Sequence, residues 1–305
     1  MRLIFMGTPA FAVPSLDRIV AAGHEVVAVF TQPDRPKGRG QRDAMPAVKE
    51  AALRLGLAVH QPEKVRRPEV VEQLRGMAPE AMVVVGYGQI IPKTILDIPP
   101  MGIVNVHASL LPKYRGAAPI QWAIARGENR TGVTTMRINE GLDTGDMLLK
   151  WETEIGAEET AVELGERLAA AGAELLVRTL AELPTIGAEP QDESQASYAP
   201  ILKKEDGKIE WTMPAREVLN RVRGFVPWPG AFGFLRGQRL VIWKAAAGEV
   251  VLPPGALRVV NRKLYAGCGD GLSIELREVQ LEGKKRMQAA AFVNGFPMAG
   301  DEVLQ

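Results

Sequence analysis

Asn105 and His107 stand two residues apart at the end of an apolar run within GIVNVHASLLPKYRGAAPIQ, residues 102–121, and this spacing is the chain's clearest chemical signal. On an extended backbone alternate side chains project to one face, so a carboxamide and an imidazole are presented together to one small reacting group. Asp143, inside NEGLDTGDM at 139–147, brings a carboxylate from a second loop, where Gly141 and Gly145 permit a tight turn. Such a trio can carry an acyl group to an amine. Asn105 would donate a hydrogen bond to the carbonyl oxygen as it gains charge, and His107 would assist as a second donor when protonated. Asp143 would orient His107 or accept, directly or through water, the proton lost by the attacking nitrogen.

Each of these residues has an ordinary alternative. A lone histidine is often a buried residue satisfied by the backbone, and Asp beside Gly is common in turns. Ser109 close to His107 raises a Ser/His hydrolase, but the G-x-S-x-G elbow of such enzymes is missing around it. Gly7-Thr8-Pro9 follows the first strand without the remaining glycines of G-x-G-x-x-G, and Pro9 lacks an amide to offer a phosphate, which disfavours a nicotinamide dinucleotide.

The elements that must position the trio read as alternating strands and helices. Strands are expected at 2–6, 25–31, 81–86 and 103–106, with helices near 46–55, 68–75 and 117–126. Thr8 is expected to cap, and Pro9 to begin, a helix running to about 22. Two further strands at 132–138 and 147–153 precede a helix at 158–180 whose Leu164, Leu168, Ala171 and Leu175 form one apolar face. This pattern implies a Rossmann-like, mostly parallel sheet with helices on both faces, which opens ligand crevices at its strand carboxyl ends. We assign it to residues 1–188. A linker at 189–206, with Pro190 and Pro200 among Asp192, Glu193, Ser194 and Gln195, leads to 207–305. There, short strands at 231–235, 239–245, 257–260, 263–266 and 272–279 predict a small β-barrel of the oligonucleotide-binding type.

Composition bounds the class. At 305 residues, 46% hydrophobic and 24% charged, the chain is long enough for about two ordinary globular domains. Cys268 is the only cysteine, so neither an internal disulfide nor a thiolate metal cluster can form, and a reducing cytoplasmic setting is expected, with no metal. No apolar run approaches the ~20 residues of a membrane span, and a monomer is expected. Charge is divided unevenly. Residues 1–206 carry 23 Lys plus Arg against 27 Asp plus Glu, whereas 207–305 carry 14 against 9. The basic second part suits phosphate backbones, although five charges on such a surface are often merely solvated.

The run NVHASLLPKYRGAAPIQ at 105–121, taken with GLDTGDM at 141–147, closely resembles the formyltransferases that use 10-formyltetrahydrofolate, and the similarity covers nearly the whole chain. Within that family TQPDRPKGRG at 31–40, RGAAPIQ at 115–121 and VPWPGAF at 226–232 are similar to the branch that formylates methionine carried by initiator tRNA. The resemblance implies that Asn105, His107 and Asp143 are catalytic and that Ser109, Leu110, Leu111 and Pro112 contact the folate, with 87–91 beside its pterin. It also implies that the basic loop 34–42 enters the tRNA acceptor end through Arg39, with Arg42 and Lys37 nearby. Arg221, Arg223, Lys284, Lys285 and Arg286 would then grip the tRNA backbone farther off. The implied partners are 10-formyltetrahydrofolate, as formyl donor, and initiator methionyl-tRNA, with no membrane. A formyltransferase acting on an amino sugar or glycinamide nucleotide, or a formyltetrahydrofolate hydrolase, is the alternative. Neither needs a cationic loop beside the first strands.

Overall fold

The computed structural model describes residues 1–37, 42–298, 300 and 302–305. These form two compact units, one of Met1–Gly116, Thr131–Thr153 and Gly165–Tyr198, the other of Ala117–Arg130, Glu154–Leu164 and Ala199–Gln305.

The first unit is built on a seven-stranded sheet. Its order is Met147–Glu154, Arg130–Arg137, Ile103–His107, Ala81–Val85, Arg2–Gly7, Glu25–Phe30 and Val59–His60. From Ile103–His107 to Val59–His60 every pairing is parallel, and Arg130–Arg137 joins Ile103–His107 antiparallel. Parallel strands buried on both faces must be apolar throughout, and Leu3, Ile4, Phe5 and Met6 are fully buried, as are Val83 and Val85. Each such side chain removed from water contributes about 1.5–3 kcal/mol before chain entropy is set against it. The chain leaves its first strand in one direction and returns on the other side through Ala81–Val85. In open parallel sheets such a reversal is where a ligand crevice forms, at the strand carboxyl ends, and His107 is the last residue of the strand next to Ala81–Val85.

Two local details bear on the site. The expected helix after the first strand begins later, at Val13–Ala21, behind a short 3-10 turn at Ala10–Ala12. Thr8 does not cap it. Its hydroxyl instead donates to the Tyr87 carbonyl at 2.9 Å, tying the first strand's exit to that of Ala81–Val85. The long helix Ala161–Glu182 lies so close to the sheet at Gly172 that a Cβ there would stand 2.9 Å from Val106 Cγ1.

In the second unit an antiparallel sheet runs in the order Ala231–Leu235, Gln238–Ala247, Ser273–Leu281, Lys263–Gly267 and Leu257–Val260, with Met287–Gln288 also paired to Ser273–Leu281. The hairpins Arg236-Gly237 and Asn261-Arg262 each place two residues at positive φ, the geometry that matches strand twist across a two-residue turn. A helix at Ala215–Gly224, which the sequence reading left out, contributes Val218 and Val222 to a core with Leu240, Ile242, Leu264 and Ile274. Among the described residues no helix is long and apolar enough to cross a membrane.

Candidate active site

Asn105 and His107 occupy the last turns of pleat on Ile103–His107, and both are buried. The imidazole is anchored through one nitrogen and turns the other to Asp143. Nε2 lies 2.9 Å from the carbonyl oxygen of Tyr114, and because a carbonyl can only accept, Nε2 carries the proton. Nδ1 faces Oδ2 of Asp143 at 3.7 Å, longer than a direct hydrogen bond and short enough for a charge pair once the ring is protonated. The Asp143 carboxylate accepts the Gly116 amide at 2.8 Å.

The Asp143 loop is closely tailored. Asn139 Oδ1 accepts from the Gly141 amide at 3.0 Å and from the Thr144 hydroxyl at 2.9 Å. Asp143 has φ 52, a left-handed conformation that Asp adopts more readily than most residues. At Gly145 a Cβ would sit 1.8 Å from the Arg137 carbonyl oxygen, so only glycine fits where the loop rejoins the strand.

The turn after His107 is fixed by two hydroxyls. Ser109, buried, donates to the Lys113 carbonyl at 2.6 Å, and Thr134 donates to the Ser109 carbonyl at 2.7 Å while accepting the Leu111 amide at 3.1 Å. Leu111 is buried and Leu110 and Pro112 are partly exposed, with a cis bond joining Leu111 to Pro112. Beyond Ala81–Val85, Gly86 and Gly88 have positive φ and Ile90 is 88% exposed, while the Tyr87 hydroxyl is buried without a protein partner. Burial pushes that phenol up to about 12.

Several residues that hold this site were not singled out from the sequence. Arg115 is fully buried, and Glu193 grips its guanidinium with two bonds of 2.9 and 2.8 Å, raising the Arg115 pKa and lowering that of Glu193. Gln191 Oε1 accepts from Arg115 Nε at 2.9 Å. Its amide donates to the carbonyls of Asp143 and Gly145 at 2.8 and 2.7 Å. Gln191 and Glu193 fall in the polar stretch read as a linker. Nothing in a run such as QDESQ distinguishes a solvated tether from a strap whose ends are bonded down.

Of the expected tRNA contacts, Arg39 lies outside the described residues. Lys37 and Arg42 are backbone register partners in the short antiparallel pair Arg35–Lys37 and Arg42–Ala44. In the second unit Lys284 and Lys285 are exposed, whereas Arg286 pairs with Glu278 and covers the Trp243 ring. Arg221 donates to the Asp206 carbonyl at 3.1 Å. Arg223 is engaged internally, bonded to Asn220 Oδ1 at 2.9 Å and to the Gly156 carbonyl at 2.9 Å, and burial lowers its pKa.

Comparison with known proteins agrees with this architecture. Residues 1–180 match the family described as formyl transferase, and residues 201–297 match the formyl transferase C-terminal domain. This chain belongs to the formyl transferase family. Its relatives within that family include the methionyl-tRNA formyltransferase of Solibacter usitatus, 62% identical with 100% of this chain and 98% of that one covered. That of Koribacter versatilis is 57% identical, with 99% and 98% covered. Among solved structures, the N-formyltransferase of Helicobacter canadensis in complex with folinic acid and dTDP-3-aminofucose superposes with TM-score 0.67 at 18% identity, covering 90% of this chain and 98% of that one. The sugar 3N-formyl transferase WlaRD gives 0.68 at 19%, covering 93% and 99%. At such identities these two speak for the fold.

Proposed function

We infer that this chain transfers the formyl group of 10-formyltetrahydrofolate to the amino group of methionine on initiator tRNA. Relatives named methionyl-tRNA formyltransferase, matched over nearly their whole length, support the acceptor and the group transferred. The observation that carries the chemistry is His107 Nδ1 turned to the Asp143 carboxylate at 3.7 Å, with Asn105 two residues before His107 on the same strand, beside the crevice expected at the strand ends.

The residues around that crevice suit a folate. A pterin is a flat ring edged with amide-like groups, and it asks for apolar contact together with main-chain polar groups. The exposed Ile90, the open backbone at Gly86 and Gly88 and the turn Ser109, Leu110, Leu111 and Pro112 offer that combination. Bound there, the folate supplies the formyl group. Asn105 then stabilises the formyl oxygen as negative charge gathers on it. His107, its Nε2–H bonded to the Tyr114 carbonyl, exchanges protons only through Nδ1, the nitrogen turned to Asp143. The methionine amine attacks in its neutral form; as the new C–N bond forms its proton passes toward the Asp143–His107 pair, and the old C–N bond breaks with a proton returned to the folate nitrogen.

Arg39, Arg42 and Lys37 meet the acceptor end of the tRNA, since arginine can pair with phosphate or stack on an unpaired base. Residues 1–188 act as the catalytic domain, 189–206 as its link, and 207–305 as an oligonucleotide-binding-type domain that grips the tRNA backbone. The protein works as a cytoplasmic monomer without a metal; the lone, buried Cys268 supports a reducing compartment. The test is competition: labelled 10-formyltetrahydrofolate offered with methionyl-tRNA, an amino sugar nucleotide and glycinamide nucleotide. Label on the methionyl-tRNA alone is expected, and preferential label on either small amine overturns the reading.

A further inference from the structure

Resting on the formyl-transfer reading above, we propose that Gln191 is a positioning residue for Asp143, with Arg115 and Glu193 completing its brace. The Asp143 side chain faces His107 from a left-handed backbone, at φ 52, in the 139–147 loop. Gln191 bears on that backbone directly. Its single NH2 group donates to the Asp143 and Gly145 carbonyls at 2.8 and 2.7 Å, spanning the residue between them. A side-chain amide can do this because it has two donors in one plane, and a carboxylate of the same size has none.

The other end of Gln191 is fixed as well. Its Oε1 accepts a hydrogen bond from Arg115 Nε, and Glu193 accepts from the two remaining guanidinium nitrogens. A paired guanidinium is rigid as well as strong, so Gln191 is held in one orientation. Arg115 also sits between the two residues that hold the catalytic pair through their backbone. Tyr114 before it receives the His107 Nε2 proton, and Gly116 after it donates to Asp143 Oδ2. The Tyr114 amide donates to Ser197 Oγ at 2.9 Å and the Arg115 amide to the Ser197 carbonyl at 2.8 Å. The strap 191–197 therefore braces, from one side, both groups that set the His107–Asp143 geometry. Gln191 bears on the pair through the Asp143 and Gly145 carbonyls, so its effect passes through Asp143.

The full-length Gln191→Leu and Gln191→Glu proteins test this against wild type by formyl transfer to methionyl-tRNA, thermal melting and the ring 15N signals of the histidines. With three histidines in the chain, His24 and His60 serve as internal references. Both variants should lose about 10- to 100-fold in kcat with KM for either substrate changed by less than about threefold, the signature of a lost transition-state interaction. Glu keeps an acceptor for Arg115 yet cannot donate to the two carbonyls, so it should fail like Leu. The ring 15N resonances of His107 should move as the carboxylate retreats from Nδ1, while those of His24 and His60 stay in place. Added to Asp143→Asn, the Leu substitution should cost less than about threefold, since contacting residues are not additive. Unchanged kcat overturns the proposal. So do an equal loss in both backgrounds, or a joint shift of all three histidines with a lowered melting temperature. If Gln191→Leu is insoluble, Gln191→Met carries the same expectations. The histidine shifts need no substrate, so they persist even if wild type proves not to formylate methionyl-tRNA, and the two failures are distinguishable.

Discussion

His107 Nδ1 lies 3.7 Å from Asp143 Oδ2 while His107 Nε2 donates a hydrogen bond to the Tyr114 carbonyl at 2.9 Å, so the ring is anchored by one nitrogen and turns the other to a carboxylate. Replacing Asp143 with Asn keeps the shape and removes the charge. We expect kcat to fall by about 10²- to 10⁴-fold, the usual weight of positioned acid–base groups. Affinity for methionyl-tRNA should change by less than about twofold, and steady-state kinetics beside a binding titration check both.

Asn105→Ala tests a different contribution. Removing one preorganised donor to a developing oxyanion costs about 2.7–4 kcal/mol, or about 10²- to 10³-fold in kcat. Ground-state binding should survive, because the bond strengthens only as charge develops. A rise in KM with kcat intact would reassign Asn105 to substrate binding.

Gly132→Ala should disable the protein without touching a polar group. A Cβ there would stand 2.0 Å from the Trp151 carbonyl oxygen and 2.6 Å from Leu110 Cδ2, so the neighbouring strand or the expected folate turn must move. Overpacking of this kind costs about 1–3 kcal/mol or more, and a melting temperature several degrees lower is expected. Because Leu110 is displaced, KM for the folate should rise in the fraction that remains folded.

Cys268 gives the pH prediction. Burial pushes its thiol up to about 12, above the ~8.5 of an exposed cysteine. A raised pKa means that the folded state disfavours the thiolate, so this group's share of stability is complete below about pH 8.5 and declines from there toward about pH 12. Cys268→Ala should flatten the alkaline side of the stability curve. Native protein at pH 8 should resist thiol alkylation that goes to completion once it is unfolded; rapid native labelling would contradict the burial.

The expected loop contacts are tested through salt. Arg39→Ala should weaken methionyl-tRNA binding and lower the slope of log affinity against log salt by about one if the guanidinium meets a phosphate. Arg39→Lys should restore part of the affinity and little of the transfer rate, because lysine cannot pair in a fork or stack equally well. A slope that stays constant in both variants would remove Arg39 from the interface.

Much of the fold was legible because its signals are local. Apolar runs such as Leu3 to Met6 and the alternation of strand and helix name a parallel sheet, and Asn105 and His107 share a face through strand periodicity alone. Thr8 misled because a hydroxyl before a helix can satisfy a carbonyl from another strand as readily as an amide of its own helix. The helix Ala215–Gly224 was hidden by its charge: Arg216, Glu217, Arg221 and Arg223 outweigh the buried Val218 and Val222 in any local average. The brace at Gln191 was invisible for a different reason. Its partners are Arg115, Asp143 and Gly145, far away in sequence, and polar side chains bonded across such separations leave no periodic trace.

The most direct measurement is single-turnover transfer of labelled formyl from 10-formyltetrahydrofolate to methionyl-tRNA, comparing wild type with Asp143→Asn, Asn105→Ala and their double variant. Wild type should place the label on the methionine nitrogen, and each substitution should slow that step without releasing the tRNA. Label released as free formate by wild type, or transfer at the wild-type rate in Asp143→Asn, would contradict the account.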